Sequence, residues 1–298
     1  TVRQVKFYGS GNSCFDCTSG ANWSFLDCAF IAHNNGVGLN VGTSANPASQ
    51  ALNLTVERCL FIIPGSAGRP ARIYLPETAA EYSVASAIRN CLFIGGQQFY
   101  VLKAAATGLG ALGTGIAFEH NTFLATGGLQ VYTGETITLA TPLTVRGSSF
   151  VGAGIIAGHT SHVAEDYCVF NSPTPRTNVS AGANSATTLR PSLDYLDGRH
   201  SGAPLRPFGE PLPGSPYGGY VAGGSPPASD MLRRPRPGGG KSTNLAAGAL
   251  ERGQAGRKET TATDGDAASL AIDGPGVHGF QAPLKAGSNS ITLKARYD

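Results

Sequence analysis

"IRNCLFIGG" (88–96) decides the fold of this chain, because its core of Cys, one spacer and Phe returns elsewhere in the sequence. The same core occurs in "FLDCAFIA" (25–32), "VERCLFIIPG" (56–65) and "EDYCVFNS" (165–172). Apolar residues stand just before and just after each core, which is typical of a short buried strand. The recurrence therefore predicts one structural unit that the chain uses several times.

Seven Phe residues mark the repeat, at intervals of 23, 31, 32, 30, 27 and 20 residues. They are Phe7, Phe30, Phe61, Phe93, Phe123, Phe150 and Phe170. Apolar residues recur five and seven positions earlier with few exceptions, such as Glu165, and the alternation predicts strands with one buried face. Two mostly polar residues between the alternating segments shift the phase of the alternation. The chain must therefore bend there, between two strands, to keep both apolar sets on one side. A strand, a bend and a second strand in every repeat predict a parallel β-helix solenoid.

Small residues precede each Phe by two positions. They are Val5, Cys28, Cys59, Cys91, Asn121, Ser148 and Cys168. Cys suits such a column as a compact apolar filler. A disulfide among the first three cysteines stays open, because stacked rungs bring them within reach of one another. Asn121 and Ser148 in the same column favour packing over sulfur chemistry as the requirement.

Charged residues precede most of the Phe residues by four positions. They are Arg3, Glu57, Arg89, Glu119, Arg146 and Asp166, with Leu26 as the exception. The sign alternates from Glu57 onward, which predicts a ladder of opposite charges on the outer surface. Glu119 and Arg146 could otherwise be interpreted as an acid and a base, and we favour the ladder as their role.

The composition excludes several classes of function. Residues 1–200 hold 11 basic and 11 acidic residues, and the net charge of +3 therefore arises in the tail. A neutral body argues against nucleic acid as a partner. No run approaches the roughly 20 apolar residues of a membrane span. "GGGKST" (238–243) has Pro235 where a phosphate-binding loop needs Gly, so we expect no nucleotide cofactor.

Candidate metal ligands are few. Cys14 and Cys17 form a C-x-x-C pair, but two further ligands with similar spacing are absent from the sequence, and a local disulfide or plain packing is favoured. His159 and His162 are a second pair that could ligate a metal or move protons. Solvated turn histidines are the more common reading of such a pair. We therefore expect no metal site.

The repeat and the tail divide the chain into three parts. Residues 1–172 are expected to form about seven rungs, and residues 173–256 an irregular Pro/Gly-rich capping segment in which Leu193, Tyr195 and Leu196 offer packing groups. Short alternating runs in residues 257–298 predict the start of a β-sandwich-like domain. The fold class is thus all-β, a solenoid followed by a cap and a partial sandwich.

The rungs and the tail together resemble a known family. The tail carries "LPGSP" (212–216), Asp230, "RPR" (234–236) and "GALE" (248–251) in that order. With the rung pattern, these motifs resemble right-handed parallel β-helix proteins of the pectate-lyase-like superfamily, in secreted or surface bacterial form. The resemblance covers about residues 1–256, and it implies a right-handed helix at the cell surface or outside the cell. It also implies that the chain is a fragment of a larger protein.

The resemblance leaves the activity open. Lyases of this family use a Lys or Arg base with clustered acidic calcium ligands, whereas Asp16, Asp27 and Asp166 are scattered in this body. We therefore expect a non-enzymatic extracellular or cell-surface module, structural or adhesive, that contacts polysaccharide or a cell-surface glycan along one long wall. The alternative is a polysaccharide lyase or glycoside hydrolase acting on the loop-bearing wall. Its candidate catalytic residues are Lys103, Glu119, His120 and Arg146.

Overall fold

The computed structural model describes residues 1–9, 12–17, 22–33, 35–42, 53–75, 86–103, 115–124, 126–132, 141–187, 227–233, 236 and 247–250. These residues form 22 β-strands. They include no helix that could span a membrane. The predicted sandwich at 257–298 and the packing groups Leu193, Tyr195 and Leu196 lie outside the described residues.

The strands belong to three parallel sheets. Sheet A contains β1 (Val2–Arg3), β4 (Asn22–Leu26), β7 (Asn53–Glu57), β10 (Ser86–Arg89), β13 (Ile116–Glu119), β16 (Leu143–Arg146) and β19 (Val163–Asp166). Sheet B contains β2 (Lys6–Gly9), β5 (Ala29–Ala32), β8 (Leu60–Ile62), β11 (Leu92–Ile94), β14 (Thr122–Leu124), β17 (Ser149–Val151), β20 (Val169–Asn171) and β22 (Ala186–Thr187). Sheet C contains β3 (Ser13–Cys17), β6 (Val37–Val41), β9 (Arg69–Leu75), β12 (Phe99–Lys103), β15 (Gly128–Val131), β18 (Gly154–Ala157) and β21 (Arg176–Thr177).

The chain visits the three sheets in turn, and each strand pairs in parallel with its equivalent on the next rung. The predicted all-β solenoid of about seven rungs is therefore confirmed. The repeat extends slightly beyond residue 172, because β21 completes the seventh rung and β22 adds one further strand to sheet B. The two strands per repeat that the Phe residues predicted belong to sheets A and B. Each rung also contains a third strand, in sheet C, which the Phe repeat did not show.

The recurring Phe residues form the predicted interior column. Phe30, Phe61, Phe93 and Phe123 pair in register and stack with ring centroids 4.7–4.9 Å apart. Each of these four rings is completely buried. A fully buried aromatic ring contributes both its large apolar area and a further roughly 0.5–1.5 kcal/mol for each favourable ring pair. The column is thus the main stabilising element of the core.

The predicted bend lies between the strands of sheets A and B. One residue per rung adopts a positive φ of 50–58° there: Gln4, Asp27, Arg58, Asn90, His120, Gly147 and Tyr167. This left-handed residue reverses the alternation, so that the apolar side chains of both strands face the core. Asn is well suited to this conformation, whereas the β-branched residues that favour strands are not.

The small residue after each bend does more than fill space. The Cys59 thiol lies 3.5 Å from the Phe25 carbonyl and 3.4 Å from the Glu57 carbonyl, in position to donate a weak hydrogen bond. Asn121 Nδ2 donates to the Ile88 carbonyl at 2.8 Å, and Ser148 Oγ donates to the Arg146 carbonyl at 3.1 Å. From Cys28 onward, the column therefore consists of short side chains that carry a donor. All six cysteines are free thiols.

The described residues of the tail pack along the side of the solenoid, on sheet B. We call residues 227–233, 236 and 247–250 the strap. Ala247 and Ala249 of the strap pack on the outer apolar face of sheet B, which is formed by Leu92, Leu124, Val151 and Val169. Burial of this face removes apolar area from water, which is the dominant source of folding stability.

Hydrogen bonds position the strap on sheet B. Ala249 N donates to Thr122 Oγ1 at 2.8 Å, and Gly248 N donates to the Gly147 carbonyl at 2.7 Å. Arg236 Nη2 donates to Asn90 Oδ1 at 2.8 Å, on the bend between sheets A and B. Among the described residues of the tail motifs, Arg236, Gly248 and Ala249 thus attach the strap to the solenoid.

The last rung carries a buried carboxylate where earlier rungs carry an apolar side chain. Glu165 accepts hydrogen bonds from Arg176 Nε at 2.6 Å, Ser185 Oγ at 2.6 Å and Gly182 N at 2.9 Å. The Arg176 guanidinium also lies 4.2 Å from the centroid of the Phe170 ring. This polar network closes the core at the C-terminal end, where no complete rung follows among the described residues.

Candidate functional site

The three sheets present different outer faces. The strap covers apolar residues on the outer face of sheet B. The outer row of sheet A consists of small residues: Ser24, Thr55, Ala87, Ala117, Thr144 and Ala164. The outer row of sheet C consists of Asp16, Asn40, Arg72, Tyr100, Gln130, Ile156 and Thr177. The central outer row of sheet C therefore carries long polar and aromatic side chains, whereas the long charged side chains of sheet A form the charge ladder at the ends of its strands.

Alternation along each strand of sheet C directs these residues outward. Leu39 and Val41 are buried on either side of Asn40. Phe99 and Val101 are buried in the same way on either side of Tyr100. Because successive side chains of a strand point to opposite faces, the residue between two core positions must face solvent. Parallel pairing then places equivalent residues about 4.8 Å apart along the solenoid.

Two arginines and two tyrosines cluster at the centre of this row. The Arg69 guanidinium lies 4.5 Å from the centroid of the Tyr100 ring, a cation–π arrangement. Arg72 Nη1 lies 3.5 Å from Tyr74 Oη in the same strand. Asn40 and Tyr100 flank Arg72 on the two neighbouring rungs. We call these five residues, all partly exposed, the sheet C platform.

Polar atoms of the platform lack partners. Arg69 Nε, Arg72 Nε and Asn40 Oδ1 are buried without a hydrogen bond in the part of the chain that the structure describes. An unsatisfied buried donor or acceptor costs about 1–3 kcal/mol. Asp16 is the acidic residue of the row, two inter-strand spacings or about 10 Å from Arg72. The platform therefore has positive charge and unused hydrogen-bonding groups.

Sequence reasoning missed the platform, because the repeat was aligned on Phe and sheet C follows Phe at variable distances. A signal was nevertheless present. Single polar or amphipathic residues stand between apolar residues in "LNV" (39–41), "ARI" (71–73), "FYV" (99–101) and "LQV" (129–131). Each triplet follows a Phe of the column by six to ten residues.

The candidate catalytic residues predicted from the sequence divide between two corners of the solenoid. Glu119 pairs in register with Arg146 at the end of sheet A, and His120 follows at the bend. Lys103 ends β12 in sheet C and pairs in register with Leu75. The structure thus brings three of the four together and places Lys103 at the corner between sheets C and A.

His120 has a structural environment. Its ring is buried, and a Cβ added to Gly147 would lie only 2.7 Å from it, so glycine is required on the next rung. Its backbone N–H donates to the Arg146 carbonyl at 2.9 Å.

The predicted charge ladder is confirmed beside His120. Glu57, Arg89 and Glu119 pair in register, and Arg89 Nη2 lies 2.9 Å from Glu57 Oε2.

A further ionic cluster joins the strap to the bends. Asp27 accepts hydrogen bonds from Arg58 Nε and from Arg233 Nη2 of the strap, both at 2.7 Å. The hydrogen bond from Arg58, assisted by that from Arg233, lowers the pKa of Asp27 to about 2. Arg58 also contacts Glu57. This cluster stabilises the bend and the strap together.

His159 and His162 form a turn. His162 Nδ1 accepts the His159 backbone N–H at 3.2 Å, and His159 Nδ1 accepts the Ser161 backbone N–H at 3.2 Å. Each Nδ1 atom is thus engaged in a hydrogen bond within the turn. Burial raises the pKa of the neighbouring Tyr132 hydroxyl, which remains protonated.

Cys14 and Cys17 lie in an environment that favours the protonated thiol. Burial raises the pKa of Cys17 to about 12, and it also raises the pKa of Cys14. Across the described ranges, no three His, Cys, Asp or Glu side chains converge in a way that could hold a metal ion.

Comparison with known proteins gave no relatives. No protein-family model matches the chain, and neither the curated proteins nor the solved structures contain a match.

Proposed function

We propose that this chain is a non-catalytic, extracellular or cell-surface β-helix module of the pectate-lyase-like type, from a secreted or surface bacterial protein. Its role is structural or adhesive, and the sheet C platform binds polysaccharide. The observation that carries the proposal is the outward row from Asn40 to Gln130, which offers one polar or aromatic side chain per rung.

The chemistry of this row suits a sugar polymer. Tyr100 offers a ring on which the apolar face of a pyranose can stack, while the Asn40 amide and the Arg72 guanidinium can bond hydroxyl groups. A pyranose ring is about as long as one rung spacing, which is about 4.8 Å. A polysaccharide lying along the solenoid axis therefore meets one side chain of the row with each sugar. The row from Asn40 to Gln130 spans three spacings, or about 14 Å.

The hydrolase alternative requires two carboxyl groups that flank the scissile glycosidic bond, and the lyase alternative requires a base beside the bound sugar. Glu119 and Arg146 belong to the charge ladder, His120 is buried at the bend, and Lys103 lies at another corner. The non-catalytic role is therefore the one that the placement of the side chains supports best.

Binding is testable by affinity gel electrophoresis in gels that contain one of several soluble polysaccharides. We expect at least one polymer to retard the protein, and Tyr100→Ala to restore most of the free mobility. Tyr8→Ala is the matched control, because Tyr8 is an exposed tyrosine on sheet B, away from the platform. Equal retardation of both variants would place binding elsewhere, and no retardation by any polymer would contradict the proposal.

Catalysis is tested separately on the same polymers. Ultraviolet absorbance reports unsaturated lyase products, and a reducing-sugar assay reports hydrolysis. We expect neither signal from the purified protein. Product formation that Glu119→Gln abolishes would instead support the lyase or hydrolase alternative.

A further inference from the structure

We infer that two copies of this chain pair face to face through sheet A, with their solenoid axes antiparallel. The pairing surface consists of the charge ladder and the row of small residues beside it. This surface is separate from the sheet C platform, so the inference does not rest on polysaccharide binding.

The order of charges makes the ladder complementary to itself. From the third rung to the seventh, neighbouring ladder residues pair in register: Glu57, Arg89, Glu119, Arg146 and Asp166. When a second copy lies face to face with its axis reversed, and the two-fold axis passes between the fourth and fifth rungs, Arg89 meets Glu119 of the second copy. Glu57 then meets Arg146 of the second copy. Symmetry repeats both contacts, so every one of these charges faces an opposite charge across the interface.

Other registers are less favourable. Parallel axes, with the ladders in contact, place each charge against its own counterpart. An antiparallel shift by one rung brings Glu119 against Glu57 or against Glu119 of the second copy. A shift by two rungs in one direction brings Arg3 against Arg146, and in the other direction it shortens the overlap of the two ladders. Because like charges that face each other suppress the wrong pairing, the alternation selects one register.

Contacts within one copy leave the ladder able to bind a second one. Arg89 contacts Glu57, but 38% of the Arg89 side chain remains exposed, and its Nε atom is buried without a hydrogen bond in the described part of the chain. Arg146 is also exposed. A guanidinium group has five donors, so it can bind carboxylates on more than one side. The pairs between copies therefore add to the ladder instead of replacing it.

Small side chains beside the ladder allow the two sheets to approach. From β4 to β19, the outer row of sheet A contains only serine, threonine and alanine, and Thr144 and Ala164 are exposed. In the antiparallel register, Ala87 faces Ala117 of the second copy, and Thr55 faces Thr144. No long side chain of this row separates the sheets, so the arginines and carboxylates of the ladder can bridge the gap between them.

The charge pattern identifies the partner as a second copy. The ladder carries three arginines and three carboxylates, so it has no net charge that would attract a nucleic acid or an acidic polymer. A matching surface must instead alternate in sign from rung to rung, at a spacing of about 4.8 Å. The reversed ladder of a second copy has that spacing and the opposite order of signs.

The contact area limits the strength of the pairing. Four-residue strands on the overlapping rungs cover about 13 Å by about 29 Å, or roughly 750 Å² over both copies. Specific, stable interfaces bury about 1,200–2,000 Å² in total. The dimer should therefore be weak and reversible. Since its attraction is largely between charges at a surface, added salt should weaken it further.

Analytical ultracentrifugation of the full chain tests for the dimer. Protein concentrations up to about 1 mM detect even a millimolar dissociation constant. We expect the mean mass to rise toward that of a dimer with protein concentration at about 0.01 M salt, and to remain near that of the monomer at about 1 M salt. A monomer at every concentration in low salt would overturn the inference.

Two charge reversals test the register. Glu57→Arg and Arg146→Glu each place like charges in contact in the homodimer, and each alone should weaken self-association by at least about tenfold. An equimolar mixture of the two variants restores opposite charges and should form a heterodimer with the affinity of the parent protein. A change in folding cannot produce this rescue, because each variant keeps its reversed charge in the mixture. Lys6→Glu is the matched control, since it reverses an exposed charge on sheet B and should leave self-association unchanged.

Cysteine cross-linking is a second test that leaves the ladder intact. Thr55 and Thr144 of one copy are three rungs apart, or about 14 Å, but they face each other across the inferred interface. A short thiol-specific cross-linker should therefore join Thr55→Cys to Thr144→Cys when the two variants are mixed, and should join neither variant to itself. The parent protein provides the blank, because its own Cys14 is partly exposed.

Each remaining outcome also decides. Circular dichroism checks that the variants retain the β-sheet signal of the parent protein. Failure of the mixed charge variants to associate, or a dimer that persists in either variant alone, overturns the pairing through sheet A. Cross-linking of Thr55→Cys to itself overturns the antiparallel register. Polysaccharide binding is measured separately with Tyr100→Ala, so either claim can fail without the other.

Discussion

Gly248 is the position where the strap meets sheet B most closely, and its replacement by alanine should detach the strap. Gly248 has a φ of +109°, which L side chains rarely adopt. A Cβ at this position would overlap Thr122 Oγ1 and lie 2.5 Å from Ser149 Oγ. Neither hydroxyl can move far, because the two hydrogen-bond to each other at 3.2 Å within the buried face.

The magnitude follows from a matched glycine. Gly152 also has a positive φ, +65°, but a Cβ there meets nothing within 4 Å, so Gly152→Ala should cost only about 1–2 kcal/mol of backbone strain. Gly248→Ala has at least this strain, because +109° lies outside the left-handed α region, and it also loses the hydrogen bonds from Gly248 N to Gly147 and from Ala249 N to Thr122. At about 1 kcal/mol each, these raise the total to at least about 3–4 kcal/mol.

Two measurements check this difference. Urea unfolding followed by circular dichroism gives the free energy of unfolding of each variant. Binding of a hydrophobic dye without denaturant reports the uncovered face of Leu92, Leu124 and Val151, and it should rise only for Gly248→Ala. Equal stability losses in the two variants, with no dye binding to either, would refute the close packing of strap and sheet.

Three further predictions concern the core, the C-terminal end and the bends. Phe93→Ala removes a ring that is stacked on both sides, and it should lower the free energy of unfolding in urea by about 3–5 kcal/mol. Phe7 is half-buried at the end of the column, so Phe7→Ala should lower it by less than half of that amount. Equal losses in the two variants would contradict the stacking. Glu165→Ala leaves the charge of Arg176 without its buried partner and should lower the free energy of unfolding by about 3–5 kcal/mol, more than Glu165→Gln, which retains hydrogen-bonding groups. The pKa of Asp27 is about 2 in the folded protein against an ordinary value of 3.8, so its stabilising effect should be complete above about pH 5 and be lost as the pH falls through 4 toward 2. Unfolding of Asp27→Asn and of the parent protein should therefore differ at pH 6 and converge near pH 2, and a difference that grows toward low pH would disprove the assignment.

Sheets A and B were predictable from the sequence because the chain between them has a constant length. The bend uses one left-handed residue in every rung, so Phe and the charged residue four positions earlier keep their spacing from rung to rung. Residues at a constant offset then pair in register, as Glu57 and Arg89 do. A regular connection in space is thus visible as a regular interval in sequence.

Sheet C could not be predicted in the same way. The corner between sheets B and C varies in length, so that Leu39 follows its Phe by nine residues, Ala71 by ten and Phe99 by six. An alignment on Phe therefore places the strands of sheet C at different offsets. Their outward residues then do not fall in the same column of the alignment, so the alternation is not apparent. The platform residues, including Arg72 and Tyr100, lie on these displaced strands.

Contacts between distant parts of the chain could not be predicted from the sequence either. Glu165 breaks the apolar column, and its partners Arg176 and Ser185 come later in the chain without any repeat to mark them. The tail motifs were recognised by resemblance, but only the structure shows that Arg236 reaches Asn90, 146 residues away. Such pairs are set by packing of the whole solenoid, and no local pattern encodes them.

The different outer faces of the three sheets give the strongest reason to expect binding on sheet C. A parallel β-helix repeats its outer positions along one axis, so each sheet offers a linear row of side chains to a partner. Sheet B is occupied by the strap, and the row of sheet A ends at Cβ or one atom beyond it in residues such as Ala87 and Thr144. Long polar and aromatic side chains are concentrated where Arg72 and Tyr100 adjoin. A linear polymer that lies along the solenoid would match the direction of that row.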